Sequence, residues 1–145
     1  MALLHDASEA VTHIAVAFDN PIRSFRNQLF KDYKSDEGVP PSLLAQFDAV
    51  EEAVRSIGIV VWSMREYEAG DALASGARRF RDEADQVRIL TPDKDLGQCL
   101  RDDRVVQVDR RQKKVTDEAA FRAARGFRPQ SMCKPGRFNA IWREV

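Results

Sequence analysis

Runs of apolar residues alternate with helical spacings along this chain. Thr12–Phe18 (THIAVAF) is β-branched and apolar and stops at Asp19-Asn20-Pro21, the pattern of a buried strand ending in a turn. From Ser42, the residues Leu43, Leu44, Phe47, Val50 and Val54 recur at helical spacing, and Gly58 supplies a stop. Ile59–Trp62 reads as a second strand. Tyr67–Ala84 returns to a helical period through Ala69, Ala72, Leu73, Ala77, Phe80 and Ala84. Val87–Leu90 is a third strand, followed by a turn at Thr91-Pro92 and a short helix around Asp95–Leu100. Arg104–Val108 is a fourth strand, and residues 117–125 form a helix ending at Gly126. Residues 2–11 suit a short leading helix. Strands that alternate with helices imply βαβ units, hence a parallel sheet covered on both faces. The expected core includes Phe18, Leu44, Phe47, Val60, Trp62, Leu73, Phe80, Ile89 and Leu90.

Two stretches between these elements are basic. IRSFRNQLFKDYK (22–34) sets Arg23, Arg26, Lys31 and Lys34 against Asp32 alone, and DRRQKK (109–114) reads as the tip of a hairpin between two short strands. The whole chain is neutral, with 23 basic and 23 acidic side chains among 145 residues, so it is no bulk polycation, and any polyanion must be met by local patches. That length suits one domain, and 43% hydrophobic content suits a folded core. Two cysteines are too few for a disulfide framework, and two histidines too few for an ordinary zinc site. No apolar run approaches the ~20 residues of a membrane span, and the first residues lack a signal-peptide pattern. Together these point to a soluble domain of a reducing compartment, the cytoplasm. His5 and His13 lie outside every acidic group, and Cys99, beside Leu96 and Leu100, suits a small packed hydrophobe.

The acids carry the chemistry. In open parallel α/β sheets the ligand crevice lies beyond the carboxyl ends of the strands. Asp19 follows the first strand, Glu68 and Asp71 follow the second at i, i+3 spacing, and Asp93 and Asp95 follow the third. One such acid alone is ordinarily a helix cap or a solvated loop residue. Five at three successive strand ends invite a hard divalent cation with oxygen ligands, which can activate water and neutralise a leaving oxygen in phosphodiester cleavage.

In order and spacing, AVAFDN, SFR, YK, YEAGDALAS and ILTPDKDLGQCL resemble the 5′→3′ exonuclease and flap endonuclease family, which includes the N-terminal nuclease domain of bacterial DNA polymerase I. The likeness spans roughly residues 12–131. It implies a three-layer α/β/α, PIN-like (5′-nuclease, resolvase-like) fold with a mostly parallel central sheet. It also implies hydrolysis of DNA phosphodiesters at 5′ ends, flaps and branched duplexes, with Mg²⁺ or Mn²⁺, two ions, as cofactor. By position, Asp19, Glu68, Asp71, Asp93 and Asp95 correspond to the family's metal ligands. Arg26 and Lys34 correspond to the basic residues that meet the scissile phosphate, with Arg23 and Tyr33 beside them as DNA contacts. No membrane or protein partner is implied.

Three departures accompany the likeness. Gly70 stands where the family has another acid. The family's opening strand, which ends in Asp-Gly, precedes the point where MALLHDASEA begins, so the sheet is expected to be incomplete at its N-terminal side. After GFRPQSM, the residues CKPGRFNAIWREV match nothing in the family, leaving 1–131 as a partial domain and 132–145 as a tail. A sheet lacking a central strand has unpaired edges, so a marginally stable chain is expected. Two readings stay open: an impaired metal-dependent nuclease, or an inactive truncated remnant that binds DNA weakly. A receiver-like phosphoacceptor, suggested by Thr91 and Lys94, ranks below both because the SFR…YK stretch has no place in it.

Overall fold

The structure, a computed structural model, describes residues 10–20, 22–30 and 33–132. Of the leading helix expected at 2–11, residues 10 and 11 are not helical and the rest lies outside the described residues, as does the tail from Cys133. The chain divides into two compact units, Met1–Ala69 and Gly70–Val145.

In the first unit, β1 (Ala15–Asp19) pairs in parallel with β2 (Val60–Met64), register Ala15↔Val60 to Asp19↔Met64. Between them lie three helices: α1 (Arg26–Leu29), α2 (Pro41–Leu44) and α3 (Phe47–Ser56). β1 starts three residues later than the apolar run suggests, because Thr12 and His13 are exposed and only the residues from Ala15 enter the ladder. The single helix expected from Ser42 to Gly58 is two helices. Pro41 opens a one-turn helix at its first position, where a missing N–H costs nothing. The chain turns at Ala45 and Gln46, and α3 then starts afresh.

In the second unit, which holds α4 (Ala69–Phe80) from its second residue on, that helix leads to β3 (Val87–Leu90), whose bounds match the expected strand. β3 pairs in parallel with β4 (Val105–Asp109), and β4 pairs antiparallel with β5 (Lys114–Thr116), so DRRQKK is a hairpin tip as expected. α5 (Glu118–Arg125) is closed at both ends. The Asp117 carboxylate accepts the Ala120 N–H, and Gly126 takes the left-handed conformation (φ 77°) that glycine reaches without a Cβ clash. Among the described residues the strands form two sheets, of two and three strands, and no described strand hydrogen-bonds to both. The parallel pairs β1/β2 and β3/β4 agree with the expected α/β fold, and the two separate sheets agree with an incomplete one.

The second unit's core gathers Ala74, Ala77, Ile89, Leu96 and Val105, with Leu73, Val87 and Cys99 packed against it, as expected for Cys99. Three expected core members are exposed instead: Val60 (57% accessible), Phe80 and Leu90. Each lies at the end of its element, where alternation or helical period still reads apolar but the side chain is only partly covered.

A 3₁₀ segment, Lys94–Cys99, packs so closely on α5 that a Cβ built on Gly97 would stand 2.8 Å from Phe121 Cε2. Gly97→Ala is therefore expected to cost about 1–3 kcal/mol, the usual range for overpacking. Denaturant midpoints would check this. Gly97→Ala/Phe121→Leu should recover part of the loss, and an unchanged midpoint for Gly97→Ala would refute the close contact.

Candidate active site

Asp19 is the last residue of β1, and Glu68 lies four residues past β2, immediately before α4. A parallel pair sends both strand ends the same way, so these acids come to one edge of the first unit's sheet. The SFR segment closes over them. Two hydrogen bonds knit the start of α1: the Ser24 N–H donates to Asn27 Oδ1 (3.0 Å), and Ser24 Oγ accepts the Arg26 N–H (3.3 Å). The Asn27 amide also donates to the Lys34 carbonyl, tying the two basic residues to one small framework.

Four groups converge on the Glu68 carboxylate. Ser24 Oγ donates at 2.9 Å, the Arg26 guanidinium and the Lys34 ammonium each approach to 3.5 Å, and the Tyr33 hydroxyl lies at 3.5 Å. Lys34 Nζ also donates to Asp19 Oδ2 at 3.0 Å, while Asp19 Oδ1 accepts the Ala69 N–H, the first of α4. The ammonium thus bridges two carboxylates. Partial burial pulls the Lys34 pKa down, but the hydrogen bond and charge of Asp19, together with the charge of Glu68, outweigh this and hold it above the ordinary lysine value. The Tyr33 phenol is pushed up, first by burial and then by the Glu68 charge, against the opposing pull of Arg26 and Lys34. The Arg26 guanidinium also lies over the Phe25 ring, 4.7 Å from its centroid.

The remaining expected site residues are placed differently. Arg23 makes an exposed ion pair with Asp36 at 3.1 Å. Glu68 precedes the helix rather than sharing its face with Asp71, which occupies the first turn of α4 and is 4% accessible. Asp71, Asp93 and Asp95 belong to the second unit. There, Asp93 caps the 3₁₀ segment, accepting the Asp95 N–H at 2.9 Å. Gly70 also lies in the first turn of α4, and a Cβ there would meet nothing within 4 Å, so packing does not impose the glycine.

Hard carboxylate oxygens are the donors that Mg²⁺ and Mn²⁺ prefer, and Mg²⁺ is ordinarily held by one or two carboxylates with water and substrate phosphate completing its shell. Asp19 and Glu68 fit that chemistry: they already share one positive charge, that of Lys34. Among the described residues, neither unit gathers three or more His, Cys, Asp or Glu side chains that could hold an ion on their own.

Sequence reasoning passed over Ser24, Asn27 and Glu51. Glu51 on α3 is 3% accessible and accepts hydrogen bonds from Ser63 Oγ (3.0 Å), Asn20 Nδ2 (3.1 Å) and Arg55 Nη2 (2.8 Å). It thereby braces Asn20, the residue after Asp19, against β2. Its signal was an acid at i+4 from Phe47, on the apolar side of a helix. Burial pushes the Glu51 carboxyl up, but the bonds from Ser63, Asn20 and Arg55 outweigh it and hold the pKa below the ordinary carboxylate range. A depressed pKa stabilises the fold above the unfolded value, about 4.3 for Glu, and that contribution is lost as pH falls through the native value. Glu51→Gln is expected to be about 1–3 kcal/mol less stable at neutral pH, with a shallower loss of stability below about pH 4.3. Urea midpoints measured across that range for both proteins would reveal parallel curves if the assignment is wrong.

An α/β unit whose parallel strand ends carry acids, faced by an arginine and a lysine, has the makings of a phosphate-handling domain. Over residues 1–126 the chain matches the family model described as 5′-3′ exonuclease, N-terminal resolvase-like domain, and it belongs to that family. It is 39% identical over 92 residues to a 5′-3′ exonuclease of Bacillus subtilis, and 35% identical over 112 residues to DNA polymerase I of Bacillus caldotenax. These matches cover 63% and 77% of this chain but 31% and 12% of those proteins. Among solved structures, a mutant T5 5′-exonuclease superposes with a TM-score of 0.64 over 90% of this chain and 49% of its own, at 14% identity, which shows the shared fold. Among the described residues no helix is long and apolar enough to cross a membrane.

Proposed function

We propose that this chain carries the 5′→3′ exonuclease and flap endonuclease chemistry of its family on DNA, hydrolysing phosphodiester bonds at 5′ ends, flaps and branched duplexes. The observation that carries the proposal is the Lys34–Asp19–Glu68–Arg26 constellation at the carboxyl ends of the β1/β2 pair. A divalent ion, Mg²⁺ or Mn²⁺, would be held by Asp19 and Glu68 of the first unit; by family position Asp71, Asp93 and Asp95 correspond to metal ligands as well, and the family uses two such ions. When bound, such ions lower the pKa of water and offset charge on the leaving oxygen.

The chain's own residues do the rest. Arg26 offers a planar fork to two oxygens of one phosphate, and its contact with the Phe25 ring helps hold the side chain at the site. Lys34 offers a point charge, and its raised pKa keeps it protonated throughout the neutral range. A phosphate arriving at the site exchanges carboxylate partners for phosphate oxygens at both cations. Ser24 and Asn27 position those cations through the Arg26 N–H and the Lys34 carbonyl.

The test is cleavage of a 5′-labelled flap duplex in Mg²⁺ and then Mn²⁺, with Asp93→Asn as the control. Asparagine keeps the acceptor for the Asp95 N–H, so the variant removes charge and spares the cap. Cleavage that needs the ion and drops at least about a hundredfold in the variant supports the role, a loss comparable to removing one electrostatic group from an active site. Undiminished cleavage by Asp93→Asn refutes it. The second reading, a remnant that binds DNA weakly without turnover, is favoured by Gly70, which brings no carboxylate to the first turn of α4. It predicts no cleavage by a folded chain and binding that falls steeply with salt.

A further inference from the structure

A cavity of about 330 Å³ opens in the second unit between the loop after β3 and the β4–β5 hairpin. Thr91, Lys94, Gln107, Asp109, Lys114 and Thr116 line it. It is braced from below: Gln107 Nε2 donates to the carbonyls of Thr91 (2.9 Å) and Asp93 (2.6 Å), which locks the loop to β4. Across the ladder Gln107 faces Thr116 and Asp109 faces Lys114, so the far wall is set by strand register. The lone acid of the lining is occupied, because Asp109 Oδ1 accepts the N–H groups of Arg111 (2.9 Å) and Gln112 (3.0 Å) and closes the turn.

The cations differ. Among the described residues, neither Lys94 nor Lys114 has an acid within ion-pair distance, and the same holds for Arg110, Arg111 and Lys113 at the hairpin tip. Asp93 and Asp95 flank Lys94 in the chain, so three acids, with Asp109, stand against five cations in this region. Two ammonium groups, two threonine hydroxyls and a braced wall suit a tetrahedral oxyanion, and the basic tip beyond them suits a partner that continues as a polyanion.

We infer that this cavity is a second phosphate subsite, built from residues other than Arg26 and Lys34, that takes one backbone phosphate of DNA between Lys94 and Lys114 while the hairpin tip follows the neighbouring phosphates. The inference rests on the nucleic-acid reading above. The ligand chemistry is that of a phosphate oxyanion, and its source is the DNA backbone rather than free phosphate.

The experiment measures binding of a fluorescent duplex to the whole chain, without divalent ions, over a series of salt concentrations. The proteins are wild type, Lys114→Gln, Lys94→Gln/Lys114→Gln, the charge-conserving Lys114→Arg, and the charge-matched control Arg122→Gln/Arg125→Gln. Each phosphate contact contributes about 1 to the slope of log affinity against log salt. Because both lysines share one phosphate, the double pocket variant should lose about 1 from that slope, little more than Lys114→Gln alone. Lys114→Arg should retain the wild-type slope, and so should the control.

A double pocket variant that binds as wild type does, or a control that loses as much, overturns the subsite. A loss of about 2 also overturns it, since the lysines would then meet separate phosphates. Inorganic phosphate that displaces DNA better than chloride at equal ionic strength reassigns the cavity to free phosphate. Arg26→Gln separates the two proposals: if it weakens binding and the pocket variants do not, the subsite fails and the nuclease reading stands. If the wild-type chain binds no DNA at low salt, both fail. Thermal melts followed by circular dichroism confirm that the variants are folded.

Discussion

Lys34→Met is expected to lower flap cleavage at saturating Mg²⁺ by at least about a hundredfold, with the loss in kcat rather than KM. Methionine keeps most of the stem and removes the charge. The ammonium sits 3.0 Å from Asp19 and 3.5 Å from Glu68, so it pairs with both carboxylates. Charge at that point can serve two masters: acids while no substrate is bound, and a phosphate oxygen as the bond breaks. Only the second accelerates the reaction, because only interactions stronger in the transition state do so. The variant should also bind Mn²⁺ more tightly than wild type, since the internal cation that competes for Asp19 and Glu68 is gone. Manganese titration by electron paramagnetic resonance reads this without any turnover. Unchanged cleavage would remove Lys34 from the mechanism, and unchanged Mn²⁺ affinity would show that its ion pairs do not compete with the metal.

The largest stability effect is expected at Ile89. It is 3% accessible, sits in β3, and belongs to a core otherwise built of Ala74, Ala77, Leu96 and Val105. Ile89→Ala removes the largest β-branched side chain of that cluster, and the alanines around it cannot reach into the space. The cost is expected at about 2–5 kcal/mol, lost transfer energy plus a cavity. Folded domains have only about 5–15 kcal/mol to lose, so the melting temperature should drop by about 10 °C or more. Leu90→Ala, one residue on and exposed, is the natural comparison. Its effect should stay within about 0.5 kcal/mol. Equal shifts for the two variants would mean that Ile89 is not the core residue of β3.

Much of this was legible from the order of residues, and the exceptions share a cause. Val87–Leu90 was read to the residue because Val87, Ile89 and Leu90 lie between Gln86 and the Thr91-Pro92 turn. Gly126 and Asp117 marked the ends of α5 because each has a specific backbone job. The α2/α3 break was not legible. Leu43, Leu44, Phe47, Val50 and Val54 keep helical spacing across it, yet spacing reports which side chains share a face, not whether the backbone ladder is continuous. Leu43 and Val50 are in fact exposed. Likewise, strand ends and the family likeness pointed to Asp19 and Glu68, but the contact from Ser24 to Glu68 joins positions 44 apart, and no local pattern encodes it. Polar side chains that act by bracing others, such as Asn27 and Glu51, look like any solvated residue until the partners are seen.

The ladder between β1 and β2 has a consequence for how this gene can vary. Asp19 reaches its place because it is the fifth rung of a parallel pair that runs from Ala15↔Val60 to Asp19↔Met64. Side chains alternate faces along a strand, so a slip of one residue turns every rung over. Codon changes within Ala15–Phe18 that keep a small or apolar residue leave Asp19 where it is. Loss or gain of a single codon there moves the carboxylate away from Lys34 and the Ala69 amide, with every chemical group still present. The segment is thus a ruler more than a recipe, tolerant in composition and strict in length.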